Sequence, residues 1–178
     1  MNEQIIIAGF GGQGVMSMGQ LLAYAGMLEG KFVSWLPSYG PEMRGGTANC
    51  NVIISDTPVG SPIVTEATTV IAMNRPSLDK FEKSLNGDGL LLINSSLIDR
   101  KAERKDVRSY YIDANDIANK LGNLKVANMV MLGALVQLTG IASIQAILES
   151  LKKVLGPSKH HLIPLNEQAL EEGSLRVK

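Results

Sequence analysis

Apolar positions follow two different periods along the chain. Short apolar or β-branched runs at residues 4–8, 32–36, 49–55, 70–73, 90–93 and 110–112 have strand length, and helical spacing separates several of them. Val15, Met18, Leu22 and Ala25 recur at three, four and three residues, which predicts a helix with one apolar stripe ending near Glu29 and Gly30. Pro76 suits a first helical turn, after which Leu78, Phe81 and Leu85 share a face and Asp79 and Lys83 are spaced as an i,i+4 ion pair. Asp113 is placed to cap a helix carrying Ile117 and Leu121, and Asn128 to cap the next. Ser143 opens the clearest helix, with Ile144, Ile147, Leu148, Leu151 and Leu155 on one side and Gly156-Pro157 as its stop.

Strands alternating with helices predict a three-layer α/β/α single domain over residues 1–178, with a mixed, mostly parallel sheet of about six strands. One connection departs from that alternation: no helix-length stripe lies between Leu36 and Asn49, so those strands are expected to be antiparallel, joined by a Gly/Pro loop. A chain of 178 residues is long enough to bury about 70% of its unfolded surface in one core.

Charge then narrows the function. Lys plus Arg equals Asp plus Glu at 17 each, so no overall field draws nucleic acid or anionic lipid, and aromatics for base stacking are few. Residues 5–7 give way at once to glycines, unlike a secretory leader, and the apolar stretch 129–136 is shorter than the roughly 20 residues of a membrane span. The expectation is a cytoplasmic protein that binds neither nucleic acid nor membrane. Cys50 is the only cysteine, which excludes an internal disulfide or an iron-sulfur cluster built from four thiolates of this chain. It alternates with Ala48, Val52 and Ile54, as a small buried thiol on a strand would.

Two loops carry the candidate chemistry. Ser38-Tyr39-Gly40-Pro41-Glu42-Met43-Arg44-Gly45-Gly46-Thr47 sets a carboxylate, a guanidinium and a phenol among glycines that let backbone amides approach another molecule. Glu42 and Arg44 can form a local surface pair, but a pair alone does not need the glycines and proline on either side. Earlier, a strand runs into Gly9-Phe10-Gly11-Gly12-Gln13-Gly14, whose glycine spacing matches a phosphate-cradling turn at a helix N-terminus. A dinucleotide site also wants an acid about 20 residues on to hold the ribose, and here that place reads Ser34-Trp35-Leu36-Pro37-Ser38. The turn by itself therefore admits a dinucleotide, another anion or cofactor phosphate, or no ligand. Gln13 is placed to bond a ligand, to bond the neighbouring loop, or to cap the helix.

Other features carry less. Gly87-Asp88-Gly89 with Asn115 superficially matches a thiamine-diphosphate metal motif, but it precedes an apolar run rather than following one, so a turn is expected. His160 and His161 are adjacent and lack a ligand cluster, Asn51 and the serines have no identifiable His/Asp partners, and residues 100–108 mix both charge signs as a solvated face does.

As a pair, the two loops resemble a known family. Gly9-Phe10-Gly11-Gly12-Gln13-Gly14, then Tyr39-Gly40-Pro41-Glu42-Met43-Arg44-Gly45-Gly46, then Ser61-Pro62-Ile63-Val64, resembles the gamma subunit of the 2-oxoacid:ferredoxin oxidoreductases. The likeness continues through Asn74-Arg75-Pro76-Ser77-Leu78-Asp79-Lys80-Phe81 and residues 128–134, and residues 46–50 and 74–81 look most like the 2-oxoglutarate or branched-chain members. Thr68-Thr69 departs from the acidic residue that members often carry before the fourth strand. The resemblance implies a subunit inactive alone, working with alpha and beta subunits that hold thiamine diphosphate and Mg, and with a ferredoxin-like delta subunit carrying iron-sulfur clusters. The complex would convert a 2-oxo acid, coenzyme A and oxidised ferredoxin into acyl-CoA, carbon dioxide and reduced ferredoxin. It implies no catalytic residue, metal ligand or cofactor of this chain's own, with coenzyme A as a shared ligand. The candidate contacts are Gly9, Gly11, Gly12, Gln13 and Gly14 in one loop, and Tyr39, Gly40, Glu42, Arg44, Gly45 and Gly46 in the other. The rival readings are a non-catalytic docking module and an autonomous nucleotide-binding α/β protein.

Overall fold

The structure, a computed structural model, describes residues 1–38 and 48–178; the loop candidates from Tyr39 to Gly46 lie outside the described residues. Six strands form one sheet: β1 (Asn2–Gly9), β2 (Phe32–Ser38), β3 (Ala48–Ser55), β4 (Ala67–Ala72), β5 (Leu85–Asn94) and β6 (Arg108–Ile112), in the order β2-β3-β1-β4-β5-β6. The helices are α1 (Val15–Leu28), α2 (Arg75–Phe81), α3 (Ala114–Lys120), α4 (Ala127–Thr139), α5 (Ile144–Val154) and α6 (Ile163–Leu175). β1 pairs in parallel with β4, β4 with β5 and β5 with β6, whereas β3 runs antiparallel to both β1 and β2. Each predicted run became a strand, in the mixed α/β sheet expected.

The strand pleat divides the core. Ile5, Ile7, Cys50, Val52, Ile54, Ile71 and Leu92 face the side covered by α1 and α3 to α6, while Ile6, Ile53, Val70, Leu91 and Ile93 face α2 and its neighbouring loops. Residues 5–8 are buried on both faces, which explains why β1 reads as a continuous apolar run. Val15, Met18, Leu22 and Ala25 are all buried, and α1 stops at Leu28 with Gly30 in the left-handed region at φ 74°. Ser143 caps α5 by accepting from Ala146 N at 3.1 Å. α6, which lacks a wide apolar stripe, packs across α4 where a side chain on Gly133 or Gly173 would collide with the backbone carbonyl of Leu170 or Val130.

Several local expectations are corrected. Asp79 pairs with Arg100 at 2.7 Å and Arg75 at 3.9 Å rather than with Lys83, because α2 tightens into a 3₁₀ turn at Glu82–Ser84 and Lys83 leaves the i+4 position. Asp113 occupies the cap position of α3, yet its carboxylate meets Arg176 at 3.2 Å instead of a helix amide. Asn128 lies inside α4, not at its cap, which is Val126 without a side-chain bond; Asn123 caps the preceding 3₁₀ turn Leu124–Val126 by accepting from Lys125 N at 3.0 Å. Gly87, Asp88 and Gly89 fall within β5 as an irregularity, with Asp88 at φ 61° and pairing that jumps from Leu85 to Leu90. His160 binds the carbonyls of Lys152 and Leu155 at the end of α5, each at 3.0 Å.

The 100–108 loop is less solvated than its charges implied. Glu82 is buried and accepts from Arg100 Nη2 at 3.0 Å, Glu103 N at 2.6 Å and Arg104 N at 3.0 Å, tying the loop to the end of α2. Glu82→Ala leaves two loop amides and a partly buried guanidinium short of an acceptor and is expected to cost about 3 kcal/mol in urea denaturation; a loss under about 1 kcal/mol would show the loop held by other contacts.

Cys50 is fully buried, donates to the Val15 carbonyl at 3.6 Å, and is pushed up to about 12 by desolvation, with a Trp35 hydrogen bond offsetting part of the rise. The thiol thus stays neutral throughout the physiological range. A disulfide reagent at pH 8 is expected to leave it unmodified in native protein and to label it on unfolding. Native labelling at the unfolded rate would contradict the buried placement.

Candidate functional site

β1 and β4 are neighbours whose connections diverge, α1 leading to the β2 side and α2 to the β5 side. In open α/β sheets such a divergence leaves a crevice at the strand carboxyl ends, where ligands bind. The turn from Gly9 to Gly14 lies at that end of β1. Gly9 pairs with Ala48 and Ser38 with Asn49, so the described residues flanking the second candidate loop emerge beside the same turn. Sheet register therefore brings the entry points of both sequence motifs to one edge.

The turn is held by amides. Gln13 N donates to the Phe10 carbonyl at 3.2 Å, and Gln13 Oε1 accepts from Phe10 N at 2.6 Å. Gln13 Nε2 donates to the Met73 carbonyl at 3.3 Å, at the end of β4, and Asn74 Nδ2 reaches Gln13 Oε1 at 3.5 Å. Asn94 Nδ2 donates to the same Met73 carbonyl at 3.2 Å and to Asn115 Oδ1 at 2.8 Å, which extends the network to β5 and α3. Gln13 thus uses its polar atoms to bind the turn to the sheet.

The glycines differ in what they do. A side chain at Gly9 would meet Met73 Cβ at 2.8 Å, and Gly14, at φ 73°, would drive one into Asn128 Nδ2. That amide is the nitrogen that donates to the Gly14 carbonyl at 3.3 Å. Gly12 has φ 88°, so its conformation favours glycine. Gly11 has neither constraint: its φ is not positive, and nothing among the described residues lies within 4 Å of a Cβ built there. A glycine required by neither backbone nor packing, on an exposed turn, fits a surface that another molecule approaches closely.

Three cavities open around Gly12. One of about 340 Å³ runs along Phe10, Gly11, Val15, Met16, Ser17 and Ala48. A second of about 200 Å³ is bounded by Gln13, Met73, Asn115, Leu124 and Lys125, and a third of about 310 Å³ passes between α1, α4, α5 and α6. Lys125 borders the last two, is exposed, and has no ion-pair partner among the described residues. It is the cation lining these cavities that sequence reasoning missed, having nominated Arg44; an Asn-x-Lys step before an apolar helix was the available signal. No side chain caps the start of α1. The described walls are otherwise neutral amides and apolar groups, so the crevice is suited to holding an anion rather than to moving protons.

The donor set does not fit a resident metal or cluster. With one cysteine in the chain, buried and neutral, and no group of three His, Cys, Asp or Glu side chains converging among them, the described residues offer no shell for one. Nor does β2 lie beside β1, where a dinucleotide fold holds the ribose, because β3 separates the two and carries the end of β2 a further strand away. Among the described residues no helix is long and apolar enough to cross a membrane.

Comparison with known proteins agrees with this fold. Ketoisovalerate oxidoreductase subunit VorA of Methanothermobacter thermautotrophicus is 41% identical over 173 residues, covering 96% of this chain and 35% of that protein. 2-Oxoglutarate synthase subunit KorC of Methanocaldococcus jannaschii is 37% identical over 160 residues, covering 86% of each. This chain therefore spans about a third of the length of its VorA relative and most of the length of KorC. The keto/oxoacid ferredoxin oxidoreductase gamma subunit of Geobacter sulfurreducens matches with TM-score 0.84 at 30% identity over 98% of both chains. A 2-oxoglutarate:ferredoxin oxidoreductase from Magnetococcus marinus, solved with 2-oxoglutarate, coenzyme A and succinyl-CoA bound, shares the fold at TM-score 0.88 and 24% identity, over 99% of this chain and 31% of that one. Residues 4–175 match the pyruvate ferredoxin/flavodoxin oxidoreductase family, and the chain belongs to that family.

Proposed function

We propose that residues 1–178 act as the gamma-type domain of a thiamine-diphosphate-dependent 2-oxoacid:ferredoxin oxidoreductase. The complex would decarboxylate a 2-oxo acid of the 2-oxoglutarate or branched-chain type, transfer the acyl group to coenzyme A and reduce ferredoxin, in the cytoplasm. Alpha and beta subunits would hold thiamine diphosphate and Mg, which supply the carbanion-stabilising chemistry, and a ferredoxin-like delta subunit would carry the iron-sulfur clusters. The kinship with VorA and KorC supports this reaction class.

The observation that carries this chain's part is the meeting of the Gly9–Gly14 turn with the flanks of the second loop, beside Lys125, which has no ion-pair partner among the described residues, and in a crevice whose described walls are otherwise neutral. Such a wall binds without taking part in bond making. Gly11 and Gly12 let the turn approach the phosphates of coenzyme A, Gln13 and Asn128 keep the turn rigid, and Arg44 supplies a cation from the second loop. A charge-assisted hydrogen bond of this kind is worth about 1.5–3 kcal/mol.

A docking role has its own support, since Phe10 at 43% and Leu124 at 55% exposure rim the same edge and are apolar. The two readings separate by mutation in the co-expressed complex. Arg44→Ala is expected to raise KM for coenzyme A about tenfold while leaving decarboxylation of the 2-oxo acid nearly intact; an unchanged KM with intact assembly would reject the coenzyme contact. Tyr39→Ala and Glu42→Ala should still co-purify with alpha and beta under the coenzyme reading. Loss of co-purification would favour docking.

A further inference from the structure

The two edges of the sheet are finished differently. β6 is five residues long and is flanked by the 100–108 loop, where the Tyr111 hydroxyl accepts from Ala102 N at 2.9 Å and Lys101 Nζ lies 4.0 Å from the Tyr111 ring centroid. A short strand dressed with charge is one way that an edge is kept from pairing. β2 is seven residues long, carries no charged side chain, and has no strand along its outer side among the described residues. The charges next to it are engaged elsewhere, Lys31 with Asp56 and Glu29 with Ser143 N.

α1 adjoins that edge and is equally free of charge. A surface helix ordinarily turns charged groups to water, as α5 does with Lys152 and Lys153. Gly19 and Gly26 mark the side of α1 that rests on β2, since a Cβ at Gly19 would meet Trp35 Nε1 at 2.9 Å and one at Gly26 would meet Val33 Cγ1 at 2.8 Å. At about 100° per residue, Met16, Gln20 and Met27 then form the outer flank of α1, beside the strand edge. Trp35, held by a hydrogen bond to Cys50, is 36% exposed, and Met27 is 57% exposed. The open parts of Tyr24, Met27, Leu28, Phe32, Trp35 and Leu36 come to about 600 Å², the upper end of apolar patches on monomers.

We infer that this strip joins two copies of the chain by antiparallel pairing of β2 with β2, continuing the sheet across a two-fold axis. Pro37 has no N–H to give, so it and the other odd-numbered residues of β2 turn their backbone groups outward, away from β3. Lys31 N already bonds the Gly26 carbonyl. The register that calls on neither sets Val33 opposite Trp35 of the second copy and Trp35 opposite its Val33, each opposed pair exchanging both backbone hydrogen bonds about an axis at Ser34. The same axis brings the flank of α1 against its own copy: α1 packs on β2 and β3, and with strands about 4.8 Å apart the two helices meet at about 10 Å, the spacing of packed helices. An uncharged strip meets its copy without like-charge repulsion, and the two together bury about 1,200 Å², enough for a stable pair. The pairing rests on this edge and not on the function proposed above.

Sedimentation equilibrium of the full chain is expected to show a dimer with Kd of about 10 μM or tighter, and Met27→Lys, an exposed change, to weaken it about tenfold or more. Ser34 faces its own copy across the axis in a non-hydrogen-bonded pair with Cα atoms about 4.5 Å apart, so Ser34→Cys should give a disulfide-linked dimer under a mild oxidant. Ser38→Cys, which the register sets opposite Gly30 of the second copy, should not, and buried Cys50 stays out of the reaction. A monomer, unaltered association in Met27→Lys, or cross-linking no better at Ser34 than at Ser38 would overturn the inference. So would protection of Ser34→Cys by another subunit in the co-expressed complex, which would assign the strip to that subunit. None of these readouts needs turnover or coenzyme A, so the pairing can fail while the proposed reaction stands, and can hold in a chain that joins no oxidoreductase.

Discussion

The carbonyl of Met73, the last apolar residue after β4, receives two side-chain amides from opposite sides, Gln13 of the glycine turn and Asn94 at the end of β5. Through that one oxygen the carboxyl ends of three parallel strands are fastened laterally, beyond what their ladder bonds provide. A crevice at a topological switch point lies where connections diverge and backbone is short of partners. The amides supply those partners without introducing charge. Among the described residues this neutral, rigid wall leaves Lys125 as the charged side chain bordering the crevice.

Coverage of the sheet is lopsided, and the imbalance shapes the candidate cleft. One face is packed by α1 and α3 to α6, the other by α2 and its flanking loops. Crowding so many helices onto one face requires close approach, which Gly133 and Gly173 permit where α4 crosses α6. α6 is thereby brought down beside α5, and the start of α6, the end of α5 and the first turns of α1 and α4 enclose the aliphatic cavity behind the glycine turn. The glycines of the turn and those of the helix crossing shape one cavity, the first as part of its lining, the second by drawing in the helix that forms its wall.

Much of the architecture was legible because its determinants are local. The buried runs of β1, β4 and β5, the stripe of α1, the Ser143 cap and the alternation of Cys50 on β3 each depend on a residue's neighbours within a few positions. α6 was not legible, since it buries Ala169, Leu170, Gly173 and Ser174, small groups that leave no amphipathic stripe to read. The Asp79–Lys83 pair and the Asn128 cap failed for a related reason: a 3₁₀ turn and a helix starting two residues earlier shift the angular phase on which i,i+4 and cap spacing rely.

The amino-acid order alone determined that this is an α/β chain with an antiparallel connection, a glycine turn of phosphate-type spacing with no acid at the ribose position, and too few thiols for a four-thiolate iron-sulfur cluster, because composition and short-range spacing decide those matters. Only the folded chain decided that β3 lies between β2 and β1, that both motif loops leave from one edge, and that Lys125 and Asn128 stand behind the turn. Gly14 and Asn128 are 114 residues apart in sequence and hydrogen-bonded in space. Strand order and helix crossing are set by the packing of whole faces, a long-range property that a local pattern does not encode.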